Sequence, residues 1–358
     1  MHKDRYKIGV LSGDGIGPEI MEAAIDILTL VGNKFNINFD CFYGEIGGSA
    51  YDIYTNPFPD ETKNIIDNCD AVLLGAVGGR KWDNVKAELR PEKGLLSLRK
   101  YMQVYSNIRP ITVIEGLEDA SPIKNGIIKD VDFVIVRELT GGIYFGDRKT
   151  AIKNNIRFAY DKEEYNEIEI KRISKIAFDI AMKRNKKLLS VDKSNVLDSS
   201  KLWRSVVEEM KFNYPEVEVS HMYVDNAAMQ IIKNPSQFDV LLTNNIFGDI
   251  LSDEASVITG SIGLLPSASI GDFKGLYEPI HGSAPDIANK NMANPVGMIL
   301  STALMLKYSF NLHEIADFID IAVETVLKKG IGTIDLNLEQ TVTTTEWIEE
   351  LKKVINTK

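Results

Sequence analysis

Cysteine is nearly absent from this 358-residue chain, with only Cys41 and Cys69. Two are too few for a disulfide framework or a thiolate metal cage, and they point to a reducing, cytoplasmic setting in which both are small buried hydrophobes. Positive charge is in the minority: 41 Lys plus Arg against 51 Asp plus Glu leave a net charge of −10. That balance argues against a nucleic-acid backbone or an anionic membrane as the main partner. No uncharged apolar run reaches the roughly 18 residues of a membrane span, and Lys3, Asp4, Arg5 and Lys7 stand where a secretory signal would need an apolar stretch. Internal repeats and low-complexity tracts are missing too. What remains is 44% hydrophobic and 26% charged, the composition of a globular protein, with length for about two domains at roughly 150 residues each.

Short strand-like runs alternate with longer helical stretches, the pattern of an α/β protein with a largely parallel sheet. Strands are expected at 7–11, 70–77, 132–136, 187–191, 216–223 and 238–242. Helices are expected at 18–31, 167–184, 203–210, from 246 onward, at 298–307 and at 313–328, with Ile20, Ala23, Ala24, Ile27 and Leu28 on one face of the first. Turn-rich stretches at 56–60, 118–126 and 260–275 read as loops or crossovers.

Gly13, Gly15 and Gly17 follow a strand and open a helix, with Asp40 further on. The pattern approaches a dinucleotide fingerprint, but Pro18 takes the position of the third glycine and Asp40 lies inside its run. A tight strand-to-helix turn, with Pro18 pre-set for the first helical turn, is the better reading.

The stretch Asn245-Ile-Phe-Gly-Asp-Ile-Leu-Ser-Asp253 carries more chemistry. Asp249 and Asp253, four apart on a helix, project from one face where two carboxylates can share a hard cation. Asp225 stands at another strand-to-helix junction. Three such acids with only four histidines in the chain suit Mg2+ or Mn2+; the same acids would also serve as helix caps or surface ion pairs. Arg99, Arg109 and Arg137 would clamp a dicarboxylate through their forked guanidinium groups, or serve as surface ion-pair partners. Lys193 and Tyr144 follow strands, and an amine near other cations would act as base while a phenol returned a proton.

With these residues in place, the chain resembles the β-decarboxylating dehydrogenases, the family of isocitrate, isopropylmalate, homoisocitrate, tartrate and D-malate dehydrogenases. The resemblance runs from Ile8 to beyond Asp335 and is most specific over 245–264. It implies a two-domain α/β sandwich that is not a Rossmann fold. A discontinuous cofactor-binding domain would comprise 1–104 plus 260–358, and a central domain, 105–259, would supply a homodimer interface. By the same resemblance Asp225, Asp249 and Asp253 hold the metal, Asp225 coming from the partner subunit and also touching substrate. Arg99, Arg109 and Arg137 bind substrate, and Tyr144 and the partner's Lys193 handle protons.

The resemblance places the nicotinamide cofactor on His281, Gly282, Ser283, Ala284, Pro285, Asp286, Asn294 and Asp335, with Glu92 near the nicotinamide. Asp286 would accept bonds from the ribose hydroxyls and repel a 2′-phosphate, which favours NAD over NADP. Asn289 and Asn291 stand where glycines are expected. Leu95 and Leu96, in Glu92-Lys-Gly-Leu-Leu96, match the pattern that receives an isopropyl group, and burying a third carboxylate against them would be unfavourable. The implied reaction is oxidative decarboxylation of (2R,3S)-3-isopropylmalate to 4-methyl-2-oxopentanoate with reduction of NAD, a step of leucine (branched-chain amino-acid) biosynthesis. D-malate, tartrate or homoisocitrate as substrate, and a non-catalytic regulatory homologue, are the alternatives.

Overall fold

The computed structural model describes residues 4–357; Met1, His2, Lys3 and Lys358 lie outside them. Along the chain, β1 (Arg5–Gly13), α1 (Gly17–Phe35), β2 (Asn38–Tyr43), α2 (Gly47–Tyr54), α3 (Asp60–Asn68) and β3 (Ala71–Ala76) lead into α4 (Pro91–Tyr101). Next come β4 (Ser106–Thr112), α5 (Asn125–Ile128), β5 (Asp132–Glu138), β6 (Arg148–Lys153), β7 (Ile156–Asp161) and α6 (Glu167–Lys183). They are followed by β8 (Lys187–Asp192), α7 (Asp198–Lys211), β9 (Glu218–Tyr223), α8 (Val224–Lys233), β10 (Val240–Thr243) and α9 (Asn245–Ser256). The last part holds β11 (Pro266–Ile270), β12 (Leu276–Pro279), α10 (Val296–Tyr308), α11 (His313–Leu327) and α12 (Thr344–Thr357).

The chain divides into two compact units. One comprises Met1–Val104, Val113–Pro122 and Thr259–Lys358, the other Tyr105–Thr112 and Ile123–Ile258. Val113–Pro122, inside the stretch expected to be central, clusters with the first unit, where Leu117 is buried and Lys328 pairs with Glu115 at 3.1 Å.

In the first unit the strand order is β2-β1-β3-β12-β11. β1 runs parallel to β2 and β3, and β12 parallel to β3, while β11 is antiparallel to β12. This order departs from the 3-2-1-4-5-6 of a Rossmann sheet. α1 forms because Pro18 fits its first turn and its apolar residues fall at helical spacing; Ile20, Ala24, Ile27, Leu28 and Val31 are buried, and Asn36 closes the helix in left-handed conformation. α10 is apolar nearly all round, so it is buried among β11, β12, α1 and α11.

The stretch 260–275, expected as a loop, contains strand β11. Its sequence Pro-Ser-Ala-Ser-Ile alternates apolar with polar residues, but Ile270 is its one β-branched or aromatic residue, so the strand signal is weak. It is nonetheless buried, because Ser267 donates to the Glu278 carbonyl at 2.8 Å and so loses little on leaving water.

On α11, burial pushes the Asp320 carboxyl up to about 6, with Asp317 and Glu324 adding to the rise and Lys307 opposing it. Between the ordinary value of 3.8 and about 6 the folded chain holds a proton that the unfolded chain has lost, so stability falls as pH rises through that window. Asp320→Asn is therefore expected to raise the unfolding free energy at pH 8 by about 1–2 kcal/mol and to change it little at pH 4. Urea midpoints at the two pH values check this; equal shifts at both would contradict the buried-carboxyl account.

The second unit has the order β4-β5-β10-β8-β9, antiparallel at β4/β5 and parallel elsewhere. β5 and β10 are buried along their lengths, Asp132 apart, as the strands of a covered parallel sheet must be. β6 and β7 pair separately as an antiparallel hairpin, exposed except at Ala151. Asn166 and Glu169 form a reciprocal capping box at the start of α6, and the Asn244 side chain accepts from the Phe247 N–H at 2.9 Å to cap α9.

Candidate active site

The carboxyl ends of β5 and β10 deliver the chemistry of the second unit, as expected for parallel strands feeding loops and helices. Arg137 leaves β5 fully buried, and its guanidinium is held by the Asn245 Oδ1, which accepts from Nε at 3.0 Å and Nη2 at 2.7 Å. Its Nη1 donates to Asp249 Oδ1. Asp249 Oδ2 accepts the Tyr144 hydroxyl at 2.9 Å. Arg109, on β4, places Nη2 3.8 Å from Asp249 and Nη1 3.7 Å from Asp253, while its Nε donates to Asn107 at 2.6 Å and its Nη1 to Ser252. Five sequence-identified residues, Arg109, Arg137, Tyr144, Asp249 and Asp253, thus meet on one face of α9.

Burial first, and then the Asp249 charge, push the Tyr144 phenol above its ordinary value of 10. It stays protonated at neutral pH. Both oxygens of Asp249 point at donors, and a carboxylate has lone-pair capacity left for a cation.

Lys193 and Asp225 are joined to each other instead, through Nζ and Oδ1. The Lys193 bond is the largest influence holding the Asp225 carboxyl below 3.8. Asp192 fixes the strand end beneath them: its carboxylate accepts Arg204 Nε at 2.8 Å and Nη2 at 3.0 Å. Among the described residues, no three acids, cysteines or histidines gather closely enough to hold a metal within one chain.

Arg99, in the first unit, is buried and donates from Nη2 to Glu278 at 2.8 Å, while its buried Nε has no partner. Leu95 and Leu96 are half-buried, and the core residue of α4 is Leu98. Glu92 is exposed at the start of that helix. In the 281–286 loop the His281 Nδ1 lies 2.9 Å from the Gly282 carbonyl, and burial lowers the imidazole's pKa, so the ring is neutral at pH 7. Ala284, Pro285 and Asp286 are exposed, whereas Ser283 is buried. Asp335 accepts from Ser261, from Asn294 Nδ2 at 3.0 Å and from Thr333 at 2.6 Å.

The Gly13–Gly17 turn is bound to that same loop: the Ile16 N–H donates to the Ser283 carbonyl at 2.8 Å, and a Cβ on Gly15 would stand 2.0 Å from that oxygen. Only glycine allows this approach. Asn289 and Asn291 adopt φ of 61° and 56°, the left-handed backbone for which glycine was expected. Asn291 compensates by accepting the Thr345 N–H at 3.0 Å and its hydroxyl at 2.9 Å, which ties the loop to α12.

Residues 7–351 match the family described as isocitrate/isopropylmalate dehydrogenase. The chain belongs to that family. The relatives it resembles include the 3-isopropylmalate dehydrogenases of Aquifex aeolicus, 53% identical over 94% of this chain and 92% of that protein, and of Clostridium acetobutylicum, 56% identical over 93% and 94%. Among solved structures, isocitrate dehydrogenase from Methylococcus capsulatus superposes with a TM-score of 0.87 at 31% identity, covering 98% of this chain and 99% of that one. A β-decarboxylating dehydrogenase from Thermococcus kodakarensis gives 0.80 at 33% identity, covering 98% and 96%.

For a member of the isocitrate/isopropylmalate dehydrogenase family, the sequence leaves several supporting residues unread. Asn245 and Ser252 share the α9 face with Asp249 at offsets of four and three, and Asn107 shares the β4 face with Arg109 at an offset of two. Those periodicities were available as a signal. Glu278, 179 residues from Arg99, left none.

Proposed function

We propose that the protein is an NAD-dependent 3-isopropylmalate dehydrogenase, acting as a cytoplasmic homodimer on (2R,3S)-3-isopropylmalate. One arrangement carries the reaction class: a carboxylate, Asp249, gripped by Arg137 and Tyr144, with Arg109 and a second carboxylate, Asp253, beside it. Cationic forks for a dicarboxylate thus stand next to hard oxygen donors and a protonated phenol. The half-buried pair Leu95 and Leu96 favours an aliphatic substituent on the malate, because an apolar contact rejects a third carboxylate far more strongly than it rejects a methylene.

The oxygen-only donor set of Asp249 and Asp253, completed by the partner subunit's Asp225, suits Mg2+ or Mn2+. When bound, the divalent cation supplies a Lewis acid for the developing oxyanion, and the nicotinamide supplies the hydride acceptor. Arg109 and Arg137 orient the carboxylates, and the buried unpartnered Nε of Arg99 offers a further donor. The partner's Lys193 takes the hydroxyl proton. Once CO2 has left, Tyr144 returns a proton to carbon, a role suited to a phenol whose pKa is raised. An exposed Asp286 disfavours the 2′-phosphate of NADP.

The dimer reading draws on exposed apolar surface. The hairpin β6–β7 carries Ile152, Ile156, Phe158 and Tyr160 in the open, and an isolated two-stranded ribbon is at best marginally stable. α8 and α9 pack together and expose Met229 and Ile250. A second copy supplying Lys193 and Asp225 together would complete each site.

The test is NADH formation with Mg2+ or Mn2+ on isopropylmalate and D-malate in parallel, repeated with NADP+. A kcat/KM on isopropylmalate at least about a hundredfold above that on D-malate is expected. Preference for D-malate would defeat the leucine argument, and equal use of NADP+ the Asp286 argument.

A further inference from the structure

We infer that Tyr165 is a positioning residue, which sets the spacing between Arg137 and Asp249 by holding the start of α9 against the end of β5; the inference rests on the function proposed above. Tyr165 precedes α6 in sequence and is buried in the second unit. Its hydroxyl accepts the Asn245 N–H at 3.0 Å and donates to Glu138 Oε2 at 3.2 Å. One oxygen atom therefore joins the residue after Arg137 to the first residue of the helix that carries Asp249.

Both ends of that link are fixed further. The Glu138 carboxylate is fully buried and accepts the Thr140 N–H at 3.0 Å, the Thr140 hydroxyl at 3.1 Å and the Gly141 N–H at 2.8 Å, with Arg172 at 3.5 Å. The Asn245 amide donates to the carbonyls of Leu139 at 3.2 Å and Gly141 at 3.0 Å while its oxygen holds Arg137. A buried polar network satisfied on this scale admits few alternative geometries. Burial, more than the neighbouring Glu138 charge, raises the Tyr165 phenol well above 10, so the donor is present throughout the working range.

The Tyr165 ring also lies under the turn that presents Tyr144. A Cβ on Gly141 would come 2.8 Å from the ring, and one on Gly142, whose φ is 70°, would come 2.5 Å from the hydroxyl. The glycines three and two residues before Tyr144 are thus the clearance for this ring. Trp203, edge-on with centroids 5.4 Å apart, closes the other side. A single side chain consequently touches all three segments that carry Arg137, Tyr144 and Asp249, although it sits behind them.

Tyr165→Phe keeps the ring and removes the link, leaving the Asn245 N–H without its acceptor. A small displacement of Asp249 relative to Arg137 should weaken cation and substrate binding together and spare the cofactor, whose proposed residues belong to the other unit. The expected result is a KM for isopropylmalate and a calorimetric Kd for Mn2+ alone each raised about fivefold or more, kcat lowered about tenfold, and KM for NAD+ within about twofold of the parent. Glu138→Gln should shift the same quantities in the same direction, and it decides the matter should the Tyr165 variant not fold. Tyr214→Phe, which removes a hydroxyl bonded to Asp179 elsewhere in the unit, is the control.

A lowered kcat with unchanged substrate KM and unchanged Mn2+ Kd is the mark of a merely structural role and overturns the inference. Should the parent protein fail to turn over isopropylmalate, the proposed reaction falls. The Mn2+ titration, which needs no turnover, still judges Tyr165.

Discussion

Replacing Lys193 by Met is expected to lower kcat by about 10²–10⁴-fold, the range spanned by loss of a general base, while the size-exclusion elution volume stays that of the parent. Met matches the length of the lysine stem and removes only the amine. Asp225 would lose the bond that holds its carboxyl down, so its pKa rises toward 3.8, still far below neutral, and the acid stays ionised at the assay pH. A fall in rate with unchanged Mn2+ affinity would then point to the proposed proton acceptor. Near-normal turnover of this variant would remove Lys193 from the mechanism.

Asp249→Asn is expected to lower kcat at least about 10²-fold, because an amide oxygen is a poor ligand for a hard divalent cation. It also leaves the buried Arg137 without its carboxylate, although Asn245 still accepts from two of its nitrogens. Mn2+ calorimetry on this variant should show binding weakened or lost. Unaltered Mn2+ affinity would exclude Asp249 as a ligand.

The two variants together test whether sites are shared. In a twofold dimer whose Lys193 serves its partner, a mixed dimer of Lys193→Met and Asp249→Asn chains holds one site with both defects and one with neither. Random reassortment after denaturation and refolding then restores about a quarter of parental activity from two nearly inactive samples. Recovery no greater than the sum of the separate samples would show that Lys193 acts within its own chain.

Much of this was legible in the sequence where physics is local. The helical spacing of Asp249 and Asp253 is a property of nine residues, and α1 announces itself through Pro18 and its apolar stripe. β4 and β11 went unread because Ser106-Asn107-Ile108-Arg109-Pro110 and Pro266-Ser267-Ala268-Ser269 carry polar groups inward. Their burial depends on partners distant in sequence, such as Ser252 for Arg109 and the Glu278 carbonyl for Ser267. Tyr165 went unread for the same reason, since 27 residues separate it from Glu138 and 80 from Asn245. The glycines at 13, 15 and 17 gave a partial signal whose meaning lay elsewhere. They bring backbone against backbone at Ala76, Ser283 and Ser12 in turn, and the fingerprint they resemble describes a different contact.

The exposed hairpin has a consequence for the single chain, ahead of the dimer proposed above. An uncovered ribbon with two free edges and aromatic and aliphatic side chains invites indiscriminate stacking with other half-made molecules. Arg148, Lys149 and Lys153 on one strand and Arg157 on the other outnumber Asp161, which pairs with Arg148 at 3.6 Å, and leave that ribbon with a cationic guard. Like charges keep identical ribbons from zipping edge to edge, and in the proposed dimer they would still leave the apolar face available to a properly oriented second copy.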